Sequence, residues 1–99
     1  MKKFALVHIG FEKPTPEIMA AWGQWFESIK DDLVDMGNVG FMAGREISGE
    51  GTRDLPMGPQ SLTGMSIVHA SSREDAEAIA QRCPYISSIR VYELRAHGG

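Results

Sequence analysis

A small α+β domain made of two similar halves is the fold that this sequence predicts, on three observations. A short apolar phrase occurs twice, as Ala-Leu-Val-His-Ile at residues 5–9 and as Ser-Ile-Val-His-Ala at residues 66–70. A stretch with helical periodicity follows each phrase. The chain has 99 residues, which is enough for one hydrophobic core and one domain.

The first half begins with a strand predicted over residues 3–9, and both faces of this strand carry apolar side chains. Such a strand is central in a sheet that is covered on both sides. We expect the chain's own helices to cover one face of the sheet. A second subunit or a bound ligand would then cover the other face.

The first helix is predicted to begin after the N-cap Thr15, with Pro16 in its first turn, and to end at Gly37. Its apolar stripe is wide, so we expect it to contact both the sheet and a partner. The stripe consists of Ile18, Trp22, Phe26, Ile29, Leu33 and Met36, flanked by Met19 and Trp25.

The segment after this helix is predicted to hold two strands, over residues 38–47 and 64–70. The connection between them, residues 48–63, is rich in glycine and proline. Connections of this length in a small domain are typically functional or mobile.

A second helix is predicted to begin at Ser71 or Ser72 and to end at Pro84. The last strand is expected over residues 89–94. We expect the domain to span residues 1–95 and the tail, residues 96–99, to fray. The buried stripe of the helix consists of Ala76, Ile79, Ala80 and Cys83.

The predicted element order, βαββαβ, is the ferredoxin-like plan. Right-handed crossovers and a hairpin between the second and third strands give an antiparallel sheet with the spatial order 4-1-3-2. His8 and His69 would then lie at opposite ends of the central strand pair. We therefore expect no two-histidine metal site within one subunit.

Composition and charge exclude several functional classes. The net charge is −3 and the basic residues form no stripe, which argues against a nucleic-acid partner. No apolar run approaches the roughly 20 residues of a membrane-spanning helix. We expect neither a metal nor a cofactor, because no zinc spacing or nucleotide fingerprint occurs. Cys83 is the single cysteine, which makes a reducing cytoplasm the simplest location.

Several phrases resemble one known family. Residues 63–70 (Thr-Gly-Met-Ser-Ile-Val-His-Ala), residues 72–76 (Ser-Arg-Glu-Asp-Ala) and the pair Cys83-Pro84 are similar to the YCII-related (DGPF) domain family. The opening and closing strands match as well, so the resemblance covers nearly the whole chain. It implies a ferredoxin-like fold whose sheets pack in a homodimer as an α/β barrel, with a cleft between helix and sheet.

The positions that would carry the family's chemistry differ in this chain. The motif Asp-Gly-Pro-Phe, which names the family, reads Met-Gly-Pro-Gln at residues 57–60. Some relatives look like small-molecule lyases or dehydrochlorinases that use a His–Asp pair, and Trp22 and Cys83 stand at about those positions here. The resemblance therefore implies the fold and the dimer rather than this chemistry.

Two histidines and two tryptophans are candidates for a ligand site. His8 ends an apolar run on a central strand, and it is the candidate general base because histidine titrates near neutrality. His69 has the same setting in the second half. Alternatively, His8 is an ordinary histidine near an interface. Trp22 and Trp25 are candidates for an aromatic wall, or alternatively for the core and the dimer interface respectively.

Arg45 is the candidate anion clamp at the rim of the cleft. A guanidinium group binds a carboxylate or a phosphate through two parallel hydrogen bonds, so it selects anionic ligands. Alternatively, the charges of Arg45, Glu46, Arg53 and Asp54 form solvated ion pairs that contribute little to stability.

Three hypotheses on function follow. The first is a small-molecule-binding domain of the YCII-related type. In its enzymatic form, this domain acts on a small acidic or aromatic metabolite without a metal or a nucleotide. The second is a non-enzymatic dimerisation or accessory module with a filled cleft and an exposed apolar patch. The third is a monooxygenase-like protein, because dimeric α/β barrels include cofactor-free and haem-degrading oxygenases with Asn, Trp and His in one cavity. Asn38, Trp25 and His8 are the corresponding residue types here.

Overall fold

The helices and strands of this protein are taken from a computed structural model, in which residues 1–95 are described, without the side chains of residues 35–37. The predicted tail, residues 96–99, lies outside the described residues. In chain order the elements are β1 Lys2–Ile9, α1 Pro16–Ile29, β2 Leu33–Gly40, β3 Gly44–Ser48, β4 Gly51–Leu55, β5 Leu62–Ala70, α2 Arg73–Gln81 and β6 Ser88–Glu93.

Four of the strands form one sheet in the order β2-β5-β1-β6, and each neighbouring pair is antiparallel. With two helices, this confirms the predicted α+β class. In the central pair, His8 lies opposite Gly64 and His69 lies opposite Lys3. The two histidines therefore occupy opposite ends of the pair, as the sequence predicted.

Both helices pack on one face of this sheet. Their N-caps are the predicted ones: Thr15 Oγ1 accepts the main-chain N–H of Ile18, and Ser72 Oγ accepts that of Asp75. The core between helices and sheet contains the predicted stripe of the second helix, including Cys83. Its buried residues are Phe4, Leu6, Trp25, Ile29, Val68, Ala70, Ala76, Ile79, Ala80 and Cys83.

The opposite face of the sheet is apolar, and the described helices do not cover it. Because Phe4 and Leu6 point into the core, the alternate residues of β1 point to this other face. Cross-strand partners share a face, and Ala5 lies opposite Ile67 while Val7 lies opposite Met65. We call this surface the open sheet face; it consists of Ala5, Val7, Val39, Met65, Ile67 and Tyr92.

The first helix is shorter than predicted. It ends at Ile29 rather than at Gly37, and both Leu33 and Met36 belong to β2. The last turn contains no basic residue to favour the helix dipole. The main-chain oxygen of Asp32 accepts a hydrogen bond from β5 at 2.7 Å, so sheet pairing outweighs the helical spacing here.

Residues 38–47 do not form the one continuous strand that was predicted, because residues 38–40 belong to β2 and residues 44–47 to β3; the irregular connection predicted after them is also wrong. The chain leaves the main sheet after Gly40 and forms a two-stranded hairpin from β3 and β4. Ser48 lies opposite Gly51 at the turn, and Gly51 has a positive φ of 119°, which favours glycine. Every residue of both hairpin strands is exposed.

Candidate functional site

A hydrogen-bonded network begins at His8, near the end of β1. His8 lies in the core and is only 7% exposed. The Nε2 atom of His8 lies 3.0 Å from the Oγ atom of Ser66 on β5. Ser66 Oγ donates to Oδ1 of Asn38 on β2 at 3.2 Å. This arrangement, which we call the His8 network, crosses three adjacent strands and ends at an exposed residue.

The bonding partners assign the protons of the His8 network. An amide oxygen only accepts hydrogen bonds, so with Oδ1 of Asn38 facing Ser66, the hydroxyl donates to it. The hydroxyl oxygen then accepts from His8, which places the ring proton on Nε2 and leaves Nδ1 as an acceptor. The Sγ atom of Cys83 lies 4.0 Å from Nδ1, where its thiol is a weak donor.

Two indole rings enclose His8. The His8 ring centroid lies 5.1 Å from that of Trp22 and 5.7 Å from that of Trp25, and both ring pairs are nearly perpendicular. Trp25 is 3% exposed, and its Nε1–H donates to the main-chain oxygen of Ile79 at 3.1 Å. Trp25 is therefore a core residue rather than part of a dimer interface, and Trp22 is half-buried beside it.

Burial keeps His8 and Cys83 uncharged. It lowers the pKa of the His8 imidazole from 6.5 to about 4, because the apolar surroundings disfavour the charged ring. It raises the pKa of the Cys83 thiol from 9.0 to about 12 for the same reason. Cys83 is thus a buried thiol, as expected, and His8 at pH 7 is a neutral imidazole of low basicity.

Arg45 and His69 lie elsewhere in the fold. Arg45 is on the hairpin, and its Nε lies 3.0 Å from Oδ1 of Asp54 in an exposed ion pair, which is the alternative that the sequence left open. His69 lines a cavity of about 600 Å³ at the other end of β5, together with Asp32 and Arg82. The structure therefore brings together His8, Trp22 and Trp25, but places the other two candidates in separate regions.

The surroundings of His8 are filled by side chains. Among the three cavities that we describe in residues 1–95, none is lined by His8. Every buried side-chain nitrogen and oxygen in the described part has a hydrogen-bond partner, so no buried side-chain polar atom is left unsatisfied around His8. The arrangement resembles a satisfied polar network within a core more than an open cleft.

Ser66 is the member of the network that sequence analysis missed. It is fully buried and lies opposite the core residue Leu6, on a strand whose other buried residues are Gly64, Val68 and Ala70. A hydroxyl at an inward-facing position needs a hydrogen-bond partner, and this was the available signal. Asn38 had been considered only as part of the monooxygenase hypothesis.

The described part of the chain shows neither a metal-binding cluster of side chains nor a membrane-spanning helix. Residues 1–95 contain no group of three or more His, Cys, Asp or Glu side chains placed to hold a metal ion. None of the described helices has the length and apolar character required to cross a membrane.

Comparisons with known proteins do not assign this chain to a family. No protein-family model matches the chain, and no curated protein or solved structure matches it significantly. The resemblance to the YCII-related family therefore stays a prediction.

Proposed function

We propose that this chain is a ferredoxin-like domain that forms a homodimer through its open sheet face, and that its primary role is that of a dimerisation module. The strand order β2-β5-β1-β6, with both helices on the other face, supports this fold. The observation that carries the proposal is the apolar character of the open sheet face. In the proposed dimer, two such faces pack together as the α/β barrel that the resemblance to the YCII-related family implies.

The chemistry of the open sheet face is that of an interface. Its central strands present Val7, Met65 and Ile67, all half-buried, and its outer strands present the more exposed Val39 and Tyr92. Contiguous apolar surface of this kind is uncommon on a monomer and marks a site of association.

The polar residues of this face lie towards its edges. Arg90, opposite Val7, is on the edge strand β6, and Lys3 and His69 face each other at one end of the central pair. An apolar centre with a polar rim is the usual composition of a protein interface. Two copies related by a twofold axis would bury the centre and leave the rim charges in water.

Sedimentation equilibrium of the wild-type protein and two variants tests this proposal. Met65→Lys places a charge at the centre of the open sheet face, so we expect a monomer. Met19→Lys is the matched control, because Met19 is an exposed methionine on α1, on the other side of the sheet, and should leave the dimer intact. Circular dichroism establishes that both variants fold. A wild-type monomer at 100 micromolar, or equal masses for both variants, would contradict the proposal.

A second candidate function is supported by the assembly of His8, Trp25 and Asn38 into one region. We propose this region as the place where a small aromatic ligand would be bound in a monooxygenase-like protein. Asn38 is the exposed end of the His8 network, and its amide would bond a polar group of the ligand. Trp22 supplies a half-buried indole for contact with a ring.

Haem titration tests the haem version of this second function. A Soret band that shifts on binding to the wild-type protein, and is lost in His8→Gln, would support it. A spectrum that stays flat would remove it. The filled surroundings of His8 and its low basicity make this the weaker of the two proposals.

A further inference from the structure

We infer that the groove between the β3–β4 hairpin and the main sheet binds a flat aromatic carboxylate. This site goes beyond the dimer: none of the six residues that define the open sheet face lines the groove, although Leu62 borders that face opposite Ile9. The groove encloses about 1010 Å³, which is the size of small-molecule sites in proteins. We call it the hairpin groove; its apolar walls include Phe41, Met42, Leu55, Met57 and Leu62.

One wall of the hairpin groove is held in place before any ligand binds. The Oγ atom of Ser61 donates to the main-chain oxygen of Pro56 at 2.8 Å and accepts from the N–H of Gly58 at 2.7 Å. The main chain of the same turn accepts hydrogen bonds from Gly10 at 2.8 Å and from Phe11 at 2.9 Å. Because the wall is already ordered, a ligand does not have to supply the cost of ordering it.

The walls favour an aromatic ring. Phe41, Met42, Leu55 and Leu62 are all exposed in spite of being large and apolar, so a ligand in the groove would remove them from water. Methionine sulfur makes favourable contacts with the edges of aromatic rings, and Met42 and Met57 both line the groove. A flat ring therefore suits this groove better than a sugar or a peptide.

Arg53 supplies the preference for a carboxylate, because it is the charged residue among those that line the hairpin groove. Its Nε lies 3.1 Å from Oε2 of Glu46 on the paired strand. A guanidinium group has five N–H donors, and this ion pair uses the one on Nε. The terminal N–H groups can then hold a carboxylate through two bonds.

Arg45 provides a matched comparison for Arg53. Both are exposed arginines of the same hairpin, and each forms an ion pair across it, Arg45 with Asp54 and Arg53 with Glu46. Residues in adjacent cross-strand pairs point to opposite faces, so Arg45 lies on the face away from the groove. The affinity of a ligand bound in the hairpin groove should therefore change when Arg53 is replaced and not when Arg45 is replaced.

Isothermal titration at low ionic strength with 2-naphthoate and its neutral analogue 2-naphthamide tests the inference. We expect both to bind the wild-type protein, the carboxylate about fivefold more tightly, since an exposed ion pair is worth up to that factor. Arg53→Gln should abolish this preference, and Arg45→Gln should retain it. Glu46→Gln should raise the affinity for naphthoate, because it removes a negative charge beside Arg53 that repels the carboxylate of the ligand.

A fourth variant probes the apolar wall. Leu55→Gln should weaken binding of both probes by a similar factor, because it affects the ring rather than the charge. The inference is overturned if neither probe binds saturably, or if Arg45→Gln and Arg53→Gln behave alike. It is also overturned if Leu55→Gln turns a dimer into a monomer, since a second copy would then cover the groove. Naphthoate binding retained in Met65→Lys separates this site from the dimer.

Discussion

Replacing His8 by glutamine removes the main source of acid sensitivity that the structure predicts. The folded protein holds His8 with a pKa of about 4, whereas the ordinary value of 6.5 applies to the unfolded chain. Between these values the unfolded state binds more protons than the folded state. The free energy of unfolding therefore falls as the pH falls from 6.5 to 4. The stability that depends on neutral His8 is fully present above pH 6.5 and is lost over this range.

The size of this effect follows from the two pKa values. At 1.36 kcal/mol for each unit of pKa, the whole contribution is about 3 kcal/mol. Between pH 7 and pH 5, where most carboxylates stay ionised, the loss is about 2 kcal/mol. Glutamine does not titrate, and its amide can donate to Ser66 as the ring does, so His8→Gln should lack this loss.

Urea denaturation at pH 7 and pH 5, at a fixed protein concentration, measures the effect. The wild-type protein should lose about 2 kcal/mol more than His8→Gln over this range. His69→Gln is the matched control, because it makes the same substitution at the other end of the sheet, away from the His8 network. Equal pH dependence in wild type and His8→Gln would refute the reasoning.

Three further predictions concern packing, reactivity and backbone geometry. Trp25→Phe should lower the free energy of unfolding by about 1–3 kcal/mol, as measured in urea, because it removes buried volume and a hydrogen bond. Cys83 should not react with a thiol reagent at pH 8 in the native protein and should react once urea unfolds it; rapid native labelling would contradict its burial. Gly10→Ala should lower the melting temperature more than Gly51→Ala. Both have positive φ, but the new methyl at residue 10 would lie within 3 Å of Ser87, whereas residue 51 faces open space.

The parts of the fold that the sequence predicted well depend on local signals. Strand β1 has apolar side chains on both faces, and α2 has a clear N-cap at Ser72 and a proline that prevents its continuation. The contact between His8 and the two tryptophans agrees with the spacing, although the sequence leaves open which face of β1 meets the helix. Strand alternation directs His8 inward with Leu6, and residues three apart on a helix share one side.

The parts that it did not predict depend on long-range pairing. The helical spacing of Leu33 and Met36 was outweighed by pairing of this segment with β5, which no local signal announces. Ser66 meets His8 only because the register of two strands aligns them.

The sequence of the hairpin does contain a local signal for this structure. Its charges mirror each other about the turn, with Arg45 opposite Asp54 and Glu46 opposite Arg53. Opposite charges placed symmetrically about a short glycine-containing turn are typical of a β-hairpin. The glycine and proline content of the segment was instead interpreted as an irregular connection.

Isotope-filtered nuclear Overhauser spectroscopy on a mixture of labelled and unlabelled copies tests the proposed dimer most directly. It detects methyl groups of one copy that lie within about 5 Å of another copy. Intermolecular signals are predicted for Val7, Met65 and Ile67, on the open sheet face, and not for Met19 on the first helix. Signals from Met19 alone, or none in a sample that sediments as a single species, would contradict the account.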